Sequence, residues 1–254
     1  MNGEVLLEAQ GVAKHFGGVK ALQDVSLTIR RGEVYGLIGP NGAGKTTFFN
    51  CMTGLYIADG GSFQFDGARL AAHAPEQVAR VGIARTFQNI RLFGNMTALE
   101  NVMIGRHVRT KAGVFGAMLQ TRATREEEAA IRQRAVDLLH YVRIEDRADD
   151  LAKNLSYGDQ RRLEIARALA TEPKLLCLDE PAAGMNATET AELRELIDGI
   201  RNDGTTILLI EHDVKLVMGL CDRVAVLDYG KLVIEDVPAV VQKDQRVIEA
   251  YLGA

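Results

Sequence analysis

The segment Val34–Thr46 reads VYGLIGPNGAGKT and decides the fold class of this chain. Its first part, Val34–Ile38, is an uninterrupted apolar run of the kind found in strands that are buried on both faces. The spacing of apolar residues over Thr46–Leu55 predicts that a helix follows. A buried strand, a loop of the pattern G-x-x-x-x-G-K-[ST] and a helix, in this order, predict a phosphate-binding loop.

The chemistry of such a loop explains its residue types. Backbone N–H groups at the positive end of a helix surround phosphate oxygens, and Gly39, Gly42 and Gly44 permit turns and a close approach that a Cβ atom would obstruct. We expect Lys45 to contact the β- and γ-phosphates and the Thr46 hydroxyl to bind Mg²⁺, which keeps several waters and needs few protein ligands. The residues expected to bind nucleotide here are Gly39, Pro40, Asn41, Gly42, Ala43, Gly44, Lys45, Thr46 and Thr47.

A second apolar strand ends in two carboxylates. Leu175–Leu178 is followed directly by Asp179 and Glu180. Ligands of open α/β sheets bind outside the carboxyl ends of the strands, so both side chains are expected at the nucleotide edge. We expect Asp179 to hold magnesium through water and Glu180 to polarise the attacking water.

The segments around these motifs alternate between strand and helix patterns. Thr206–Ile210 reads as another buried strand, and a helix over Thr188–Ile200 precedes it, which predicts a parallel α/β sheet. Near the N-terminus, Val25–Ile29 alternates as a short strand does, and Arg30–Gly32 reads as a hairpin-type turn into the next strand.

The middle of the chain has a helical character. Glu126–Tyr141 shows an amphipathic pattern, and a further helix led by a serine is expected over Ser156–Ala170. This block predicts a helical subdomain inserted at about residues 98–170. Ser156 and Gly158 have two interpretations from chemistry alone, as a second anion-binding helix start or as an ordinary helix cap.

Composition excludes several classes of protein. The 254 residues carry 30 Lys and Arg against 34 Asp and Glu, a net charge of −4 that argues against a dedicated nucleic-acid binder. The three cysteines show no CxxC spacing, which disfavours a zinc knuckle or a disulfide framework. Neither a signal peptide nor an apolar stretch of about 18–20 residues is visible, so we expect a soluble, cytoplasmic chain.

The order of these motifs resembles that of the ATP-binding cassette (ABC) ATPases over essentially the whole chain. The matching segments are Gly39–Thr46, Gln88, Leu155–Gln160, Leu175–Glu180 and His212. The resemblance implies one ATPase domain over residues 1–254. Its fold would be that of the P-loop NTPases (RecA-like), a parallel-sheet core with an N-terminal antiparallel β subdomain and an inserted α-helical subdomain. It also implies ATP and Mg²⁺ as ligands, and a head-to-tail dimer in which each phosphate loop faces the other subunit's signature segment.

Roles for further residues follow from the resemblance, one position at a time. Phe16 would stack on adenine, Gln88 would contact Mg²⁺ and the attacking water, and His212 would contact the γ-phosphate. Ser156 and Gly158 would belong to the signature segment. The implied catalytic residues are Glu180, His212, Lys45 and Gln88, and the implied metal ligands are Thr46, Gln88 and Asp179.

The chain departs from the family pattern at three positions. The usual signature LSGGQ reads LSYGD here, with Tyr157 and Asp159 in place of glycine and glutamine, and Asn186 stands where most members have aspartate. Asp159 places a carboxylate near a phosphate-binding surface, which puts the competence of this half-site in question.

Within the family, the sequence resembles the branched-chain amino acid importer ATPases. The agreeing stretches are Ala84–Phe93, Pro181–Asn186 and Tyr251–Ala254, together with an extra helical stretch at Gly105–Arg125. The resemblance implies a peripheral location at the cytoplasmic face of the inner membrane. Its implied partners are transmembrane permease subunits, a second ABC ATPase (a mixed pair being favoured) and, indirectly, a periplasmic substrate-binding protein, with no nucleic acid. Val114–Leu119 would either form part of the permease contact or be an ordinary buried helix.

Three other functions remain open at this stage. The chain could serve another transport system, such as lipid or lipopolysaccharide export, or act as a cytosolic ABC protein on nucleic acid or ribosomes. A metabolic P-loop kinase is the third alternative, and it leaves Leu155–Gln160 and His212 unexplained.

Overall fold

The fold is that of a computed structural model, in which residues 3–70, 74–106 and 122–252 are described. The strands are β1 Val5–Phe16, β2 Val19–Arg30, β3 Val34–Ile38, β4 Gly60–Phe65, β5 Ala68–Arg69, β6 Ile83–Arg85, β7 Leu175–Asp179, β8 Thr206–Ile210, β9 Arg223–Asp228 and β10 Lys231–Asp236. The α-helices are α1 Lys45–Met52, α2 Pro75–Val81, α3 Ala98–Arg106, α4 Arg122–Tyr141, α5 Tyr157–Leu169, α6 Ala187–Asn202, α7 Val214–Leu220, α8 Pro238–Val241 and α9 Gln245–Leu252.

The chain divides into two compact units, and the second is an insertion in the first. One unit comprises Met1–Val78 and Lys174–Ala254, and the other comprises Ala79–Pro173. The stretch of about 98–170 that was expected to be helical lies within the second unit, and a single domain over 1–254 stays a prediction.

The first unit is built on a mainly parallel sheet. Its strands follow the order β10-β9-β3-β8-β7, with β3 parallel to both β8 and β9 and β7 parallel to β8. Only β10 runs antiparallel to its neighbour among these strands of the described chain. Every residue of β3, β7 and β8 is buried, as expected for strands that are covered on both faces. The predicted α/β class is confirmed.

The same unit contains an antiparallel sheet of order β2-β1-β4-β5. The alternating residues Leu7, Ala9, Leu27 and Ile29 point to its buried side. The expectation of a hairpin at Arg30–Gly32 is wrong, because β2 and β3 belong to different sheets. The chain does turn at this point, but the strands on either side pair elsewhere. Strand β2 is partly exposed and pairs with β1, whereas β3 is buried throughout and pairs with β8 and β9.

The second unit contains β6, α3, α4 and α5. The helix α4 includes the predicted stretch Glu126–Tyr141 and buries Ile131, Ala135, Leu138 and Leu139, which recur at helical spacing. The helix α5 begins one residue after Ser156, which caps it, as the sequence predicts. Val114–Leu119 and most of Gly105–Arg125 lie outside the described residues.

Candidate active site

The phosphate loop connects β3 to α1 in the first unit. Gly39, Gly42 and Gly44 have φ values of 150°, 81° and 104°, which side chains with a Cβ atom rarely adopt. A Cβ atom at Gly39 would overlap the carbonyl oxygen of Leu227, and one at Gly44 would lie 2.6 Å from the carbonyl oxygen of Ala21. The backbone of the protein therefore requires glycine at these positions.

The end of the loop is held by the turn between β9 and β10. The N–H group of Gly230 donates to the carbonyl oxygen of Ala43 at 3.0 Å, and the Gln23 N–H donates to the Gly230 carbonyl at 2.7 Å. Gly44 caps α1 and has no side chain that could occupy the first N–H groups of the helix. Those N–H groups and the positive end of the helix dipole face the loop, which suits an anion.

Lys45 is buried in this loop, with 8% of its surface exposed. Its Nζ atom donates to the carbonyl oxygens of Gly39 at 2.6 Å and Pro40 at 3.0 Å. Burial lowers the pKa of Lys45, and the negative charges of Glu180 and Asp179 partly offset that effect. Thr46 is exposed on the first turn of α1 and Thr47 is half-buried.

The two acidic residues differ in environment although they are neighbours in sequence. Asp179 is the last residue of β7 and is buried, whereas Glu180 takes a left-handed conformation with φ 47°. The Glu180 N–H group donates to the Ile210 carbonyl at 2.8 Å, which ties the end of β7 to the end of β8. The left-handed conformation of Glu180 marks the point where the extended chain of β7 ends.

His212 lies beside Glu180, because their parallel strands end at the same edge of the sheet. The Nδ1 atom of His212 is 3.7 Å from the nearer carboxylate oxygen of Glu180. The histidine side chain is 60% exposed and the glutamate side chain 19% exposed. One edge of the parallel sheet in the first unit thus carries four of the residues predicted from the sequence. They follow or end strands β3, β7 and β8, and they are Lys45, Asp179, Glu180 and His212.

Glu211 is a member of this site that the sequence did not single out. It is buried, and its carboxylate accepts hydrogen bonds from the N–H groups of Ala182 at 2.9 Å and His212 at 3.2 Å. Burial raises the pKa of the Glu211 carboxyl, and the bond from Ala182 opposes that shift. Glu211 joins the segment after Glu180 to the histidine. A carboxylate placed next to the end of an apolar strand was the available signal.

Phe16 ends β1 with 44% of its surface exposed. The ring of Tyr56 meets it edge-on, with centroids 5.3 Å apart and planes at 74°, and the Lys14 Nζ atom is 5.4 Å from its centroid. Tyr56 is a second aromatic that sequence reasoning missed. An adenine-stacking role for Phe16 stays a prediction.

The second unit carries the other predicted site residues. Gln88 is exposed in the segment after β6, and Ser156 is exposed at the N-cap of α5, with Gly158 in the first turn of that helix. The guanidinium group of Arg161 connects the two regions, because it donates to the Gln88 carbonyl oxygen at 2.9 Å from within α5. Sequence reasoning assigned no role to Arg161.

Comparisons with known proteins agree with this geometry. Residues 22–183 match the family described as ABC transporter. The high-affinity branched-chain amino acid transport ATP-binding protein LivG of Salmonella typhimurium (strain LT2) is 47% identical over 98% of both chains. BraF of Pseudomonas aeruginosa, with the same description, is 42% identical over 98% of both chains. A crystal structure of an ATP-binding cassette of an ABC transporter in its ADP conformation shares 31% identity. It superposes with a TM-score of 0.85 over 98% of this chain and 99% of its own.

This chain belongs to the ABC transporter family. The predicted fold and the predicted ATPase class of this cassette are confirmed. Nucleotide binding follows from family membership. Within residues 3–70, 74–106 and 122–252, no helix combines the length and apolarity that crossing a membrane requires.

The donor groups of the cassette fit Mg²⁺. Thr46 is exposed beside the phosphate loop and Asp179 ends β7, and their hydroxyl and carboxylate groups are of the oxygen type that Mg²⁺ prefers. No group of three or more His, Cys, Asp or Glu side chains that could hold a metal occurs in the described part of the chain. A cation that keeps most of its waters and also binds phosphate oxygens is compatible with so few protein ligands.

Asn186 is a departure from the family pattern with a clear local role. Its side chain caps α6 by accepting from the N–H groups of Thr188 at 2.9 Å and Glu189 at 3.0 Å, and the Glu189 carboxylate accepts from the Asn186 N–H at 2.8 Å. Asparagine and aspartate are equally good at this position of a helix. The cap therefore joins the segment after Glu180 to the first turn of α6.

Proposed function

We propose that this chain is the ATP-hydrolysing subunit of an importer for branched-chain amino acids, bound at the cytoplasmic face of the inner membrane. The observation that carries the hydrolytic part is the approach of Glu180 to His212, 3.7 Å apart at neighbouring strand ends beside the phosphate loop. The similarity to LivG and BraF over nearly the full length of the chain supports the substrate class.

The phosphate loop binds the substrate in this mechanism. The N–H groups of residues 42–46 and the Lys45 ammonium surround the β- and γ-phosphates, and Lys45 exchanges its bonds to the Gly39 and Pro40 carbonyls for bonds to phosphate oxygens. Phe16 stacks on the adenine ring. When bound, Mg²⁺ neutralises phosphate charge, and Thr46, Asp179 and Gln88 would hold it, the aspartate through water.

Glu180 accepts the proton of the attacking water. The water oxygen forms a bond to the γ-phosphorus as the bond to the ADP oxygen breaks, and the products are ADP and inorganic phosphate. His212 contacts the γ-phosphate and Gln88 orients the water. Glu211 holds the backbone around Glu180 and His212, so the two side chains keep their relative position.

ATP hydrolysis can drive a conformational change because ATP and ADP differ in their preference for two conformations of the protein. In the proposed head-to-tail dimer, Ser156 and Gly158 of one subunit close over the γ-phosphate held by Lys45 of the other. Hydrolysis removes that bridge and the dimer opens. Permease subunits that contact the second unit follow this motion, and a periplasmic substrate-binding protein supplies the amino acid to them.

The variant Glu180→Gln tests the hydrolytic part. We expect the purified variant to bind ATP like the wild type, to hydrolyse it at least about a hundredfold more slowly, and to form an ATP-dependent dimer that is visible by size-exclusion chromatography. Glu195→Gln, at an exposed glutamate of α6, is the matched control and should hydrolyse ATP normally. Normal turnover in Glu180→Gln would remove Glu180 from its role.

Uptake and co-purification test the transport part. A strain that lacks this protein should lose uptake of labelled leucine and keep uptake of labelled lysine, and the wild-type protein but not Glu180→Gln should restore leucine uptake. Affinity purification from membranes with mass spectrometry should recover permease subunits and a second ABC ATPase. Unchanged leucine uptake would contradict the substrate class, and recovery of this ATPase alone with its permeases would favour a pair of identical copies.

A further inference from the structure

A buried ion pair lies inside the second unit. Arg161 and Glu164 are one turn apart on α5, the Arg161 Nη1 atom is 2.8 Å from a Glu164 carboxylate oxygen, and their side chains are 0% and 1% exposed. Desolvation makes such a pair costly unless both groups are fully hydrogen-bonded. Among the described residues the buried Arg161 Nε atom has no hydrogen-bond partner, whereas both Nη atoms and the Glu164 carboxylate are bonded. The partners of these bonded atoms indicate what the pair holds in place.

Those partners are backbone groups of the segment that carries Gln88. Arg161 Nη1 donates to the Phe87 carbonyl at 2.7 Å and Nη2 donates to the Gln88 carbonyl at 2.9 Å. The Glu164 carboxylate accepts from the N–H groups of Phe87 at 3.2 Å and Arg91 at 3.4 Å. Both polar backbone groups of Phe87 are thus bound by the ion pair.

The same guanidinium reaches the start of α5. Arg161 Nη2 donates to the Tyr157 hydroxyl at 3.2 Å, and its Cζ atom is 5.8 Å from the centroid of the Tyr157 ring. Tyr157 follows Ser156, the cap of the helix. A planar guanidinium with several fixed donors can span two carbonyls and a hydroxyl, whereas a lysine ammonium is a single point.

We propose that Arg161, together with Glu164, is a positioning residue that fastens the Gln88 segment to the first turn of α5, so that Gln88 and Ser156 move as one body. A shift of Gln88 with the bound nucleotide then displaces the signature segment presented to the partner. Arg161 itself is fully buried and acts through the backbone groups that it binds. The inference rests on the proposed roles of Gln88 and Ser156.

A distance measurement tests the rigid connection without relying on activity. Asn89 and Asn154 are exposed and flank the two regions, and the native cysteines are all buried, so spin labels at Asn89→Cys and Asn154→Cys can be attached selectively. We expect one narrow distance distribution, with or without ATP. The variant Arg161→Lys should broaden it or add a second distance. A label pair at Arg134 and Asn154, which does not cross the ion pair, should be unaffected.

Kinetics give the second readout. Arg161→Lys should lower kcat for ATP about ten- to a hundredfold, since a displacement of about 1 Å at a reacting group can cost that much, while KM for ATP stays within about threefold. Tyr157→Phe removes a single hydroxyl and should lower kcat only about twofold. Glu172→Gln is the matched control, because it breaks an ion pair with Arg106 in the same unit, at 2.6 Å, that does not reach the Gln88 segment.

The possible outcomes separate the two proposals. A narrow distribution and normal kcat in Arg161→Lys would overturn the positioning role, and so would a lower kcat with an unchanged distribution. If Arg161→Lys fails to fold, Tyr157→Phe and Glu164→Gln take its place, and an unaltered distribution in both would overturn it. Absence of ATPase activity in the wild type would contradict the proposed function, whereas the labelled distances would still decide whether the two segments move together.

Discussion

The Ser156 hydroxyl donates a hydrogen bond to the Asp159 carboxylate at 2.8 Å, and the Asp159 N–H group donates back to the Ser156 oxygen at 3.1 Å. A serine hydroxyl has one proton to donate. In this conformation that proton is used within the same turn of α5. If the signature segment faces the partner's nucleotide, as proposed above, the carboxylate would stand near its γ-phosphate. We therefore predict that Asp159 opposes closure of the proposed dimer, both by its charge and by its hydrogen bond to the Ser156 hydroxyl.

Removing the Asp159 charge should strengthen ATP-driven pairing. Asp159→Asn keeps an oxygen that can accept from Ser156 but is neutral, so in the Glu180→Gln background we expect the ATP-dependent dimer to tighten about three- to tenfold, or about 0.7–1.4 kcal/mol. The gain should shrink at high salt, because it is electrostatic. Dimer dissociation constants from analytical ultracentrifugation measure it.

The control for the dimer measurement is Asp149→Asn, which removes an exposed carboxylate elsewhere in the same unit. If the ATP-dependent dimer of Asp159→Asn is no tighter than before, the Asp159 carboxylate does not face the γ-phosphate of the partner's nucleotide.

Loss of the Asp159 charge from the first turn of α5 should also lower the free energy of unfolding by about 0.3–1 kcal/mol, since anions are favourable near a helix N-terminus.

The affinity for ATP should depend on pH through Lys45. Burial lowers the pKa of this lysine, so the ammonium loses its charge at a lower pH than an exposed lysine, and ATP binding should weaken as pH rises through that lowered pKa. Titration with a fluorescent ATP analogue from about pH 7.5 to 10 checks the direction. Lys45→Arg stays charged throughout this range, so its own affinity, although lower, should be flat. A flat profile in the wild type would contradict the prediction.

Arg223 should be needed for the stability of the first unit. Its guanidinium lies 2.6 Å from Glu235 and 3.3 Å from Glu33, and Glu235 also accepts from the Tyr35 hydroxyl at 2.7 Å. Arg223→Met removes the guanidinium that pairs with two largely buried carboxylates, which should cost about 3–5 kcal/mol of unfolding free energy. Urea unfolding followed by circular dichroism measures this loss.

The comparison for Arg223 is Arg201→Met, which breaks two more exposed pairs, with Asp198 at 3.4 Å and with Asp222 at 3.6 Å. Pairs of that kind contribute at most about 1 kcal/mol. Equal effects of the two substitutions would mean that the carboxylates around Arg223 are adequately solvated without it.

Glu211 should make stability decrease as pH rises. Burial raises the pKa of its carboxyl in the folded state, so the folded protein holds this proton more tightly than the unfolded chain. The stabilising contribution of Glu211 to the free energy of unfolding is fully present below the ordinary glutamate pKa. It is lost as pH rises through the raised pKa of the folded state. Glu211→Gln cannot ionise, so its unfolding free energy should fall less steeply over that window. Urea unfolding at a series of pH values checks this, with Glu195→Gln as the exposed control, and identical slopes for wild type and Glu211→Gln would contradict it.

Much of the fold and part of the site could be predicted because they depend on local patterns. Continuous apolar runs identified β3, β7 and β8, and a serine before a helical pattern identified the cap of α5. The hairpin at Arg30–Gly32 failed for the complementary reason: a turn signal states that the chain reverses locally, but which sheet receives the next strand depends on distant pairing.

By itself, the sequence predicted which residues bind phosphate and activate water. The signals for these residues are local in the sequence. They are glycines at positive φ before α1 and two carboxylate side chains at the end of β7. The tertiary structure decided which groups hold those residues in place: Glu211 contacts a segment 29 residues away, and Arg161 contacts Phe87 across 74 residues. From sequence alone, charged side chains are expected at the solvated surface. Only the folded structure shows that these two are buried and hydrogen-bonded to the backbone.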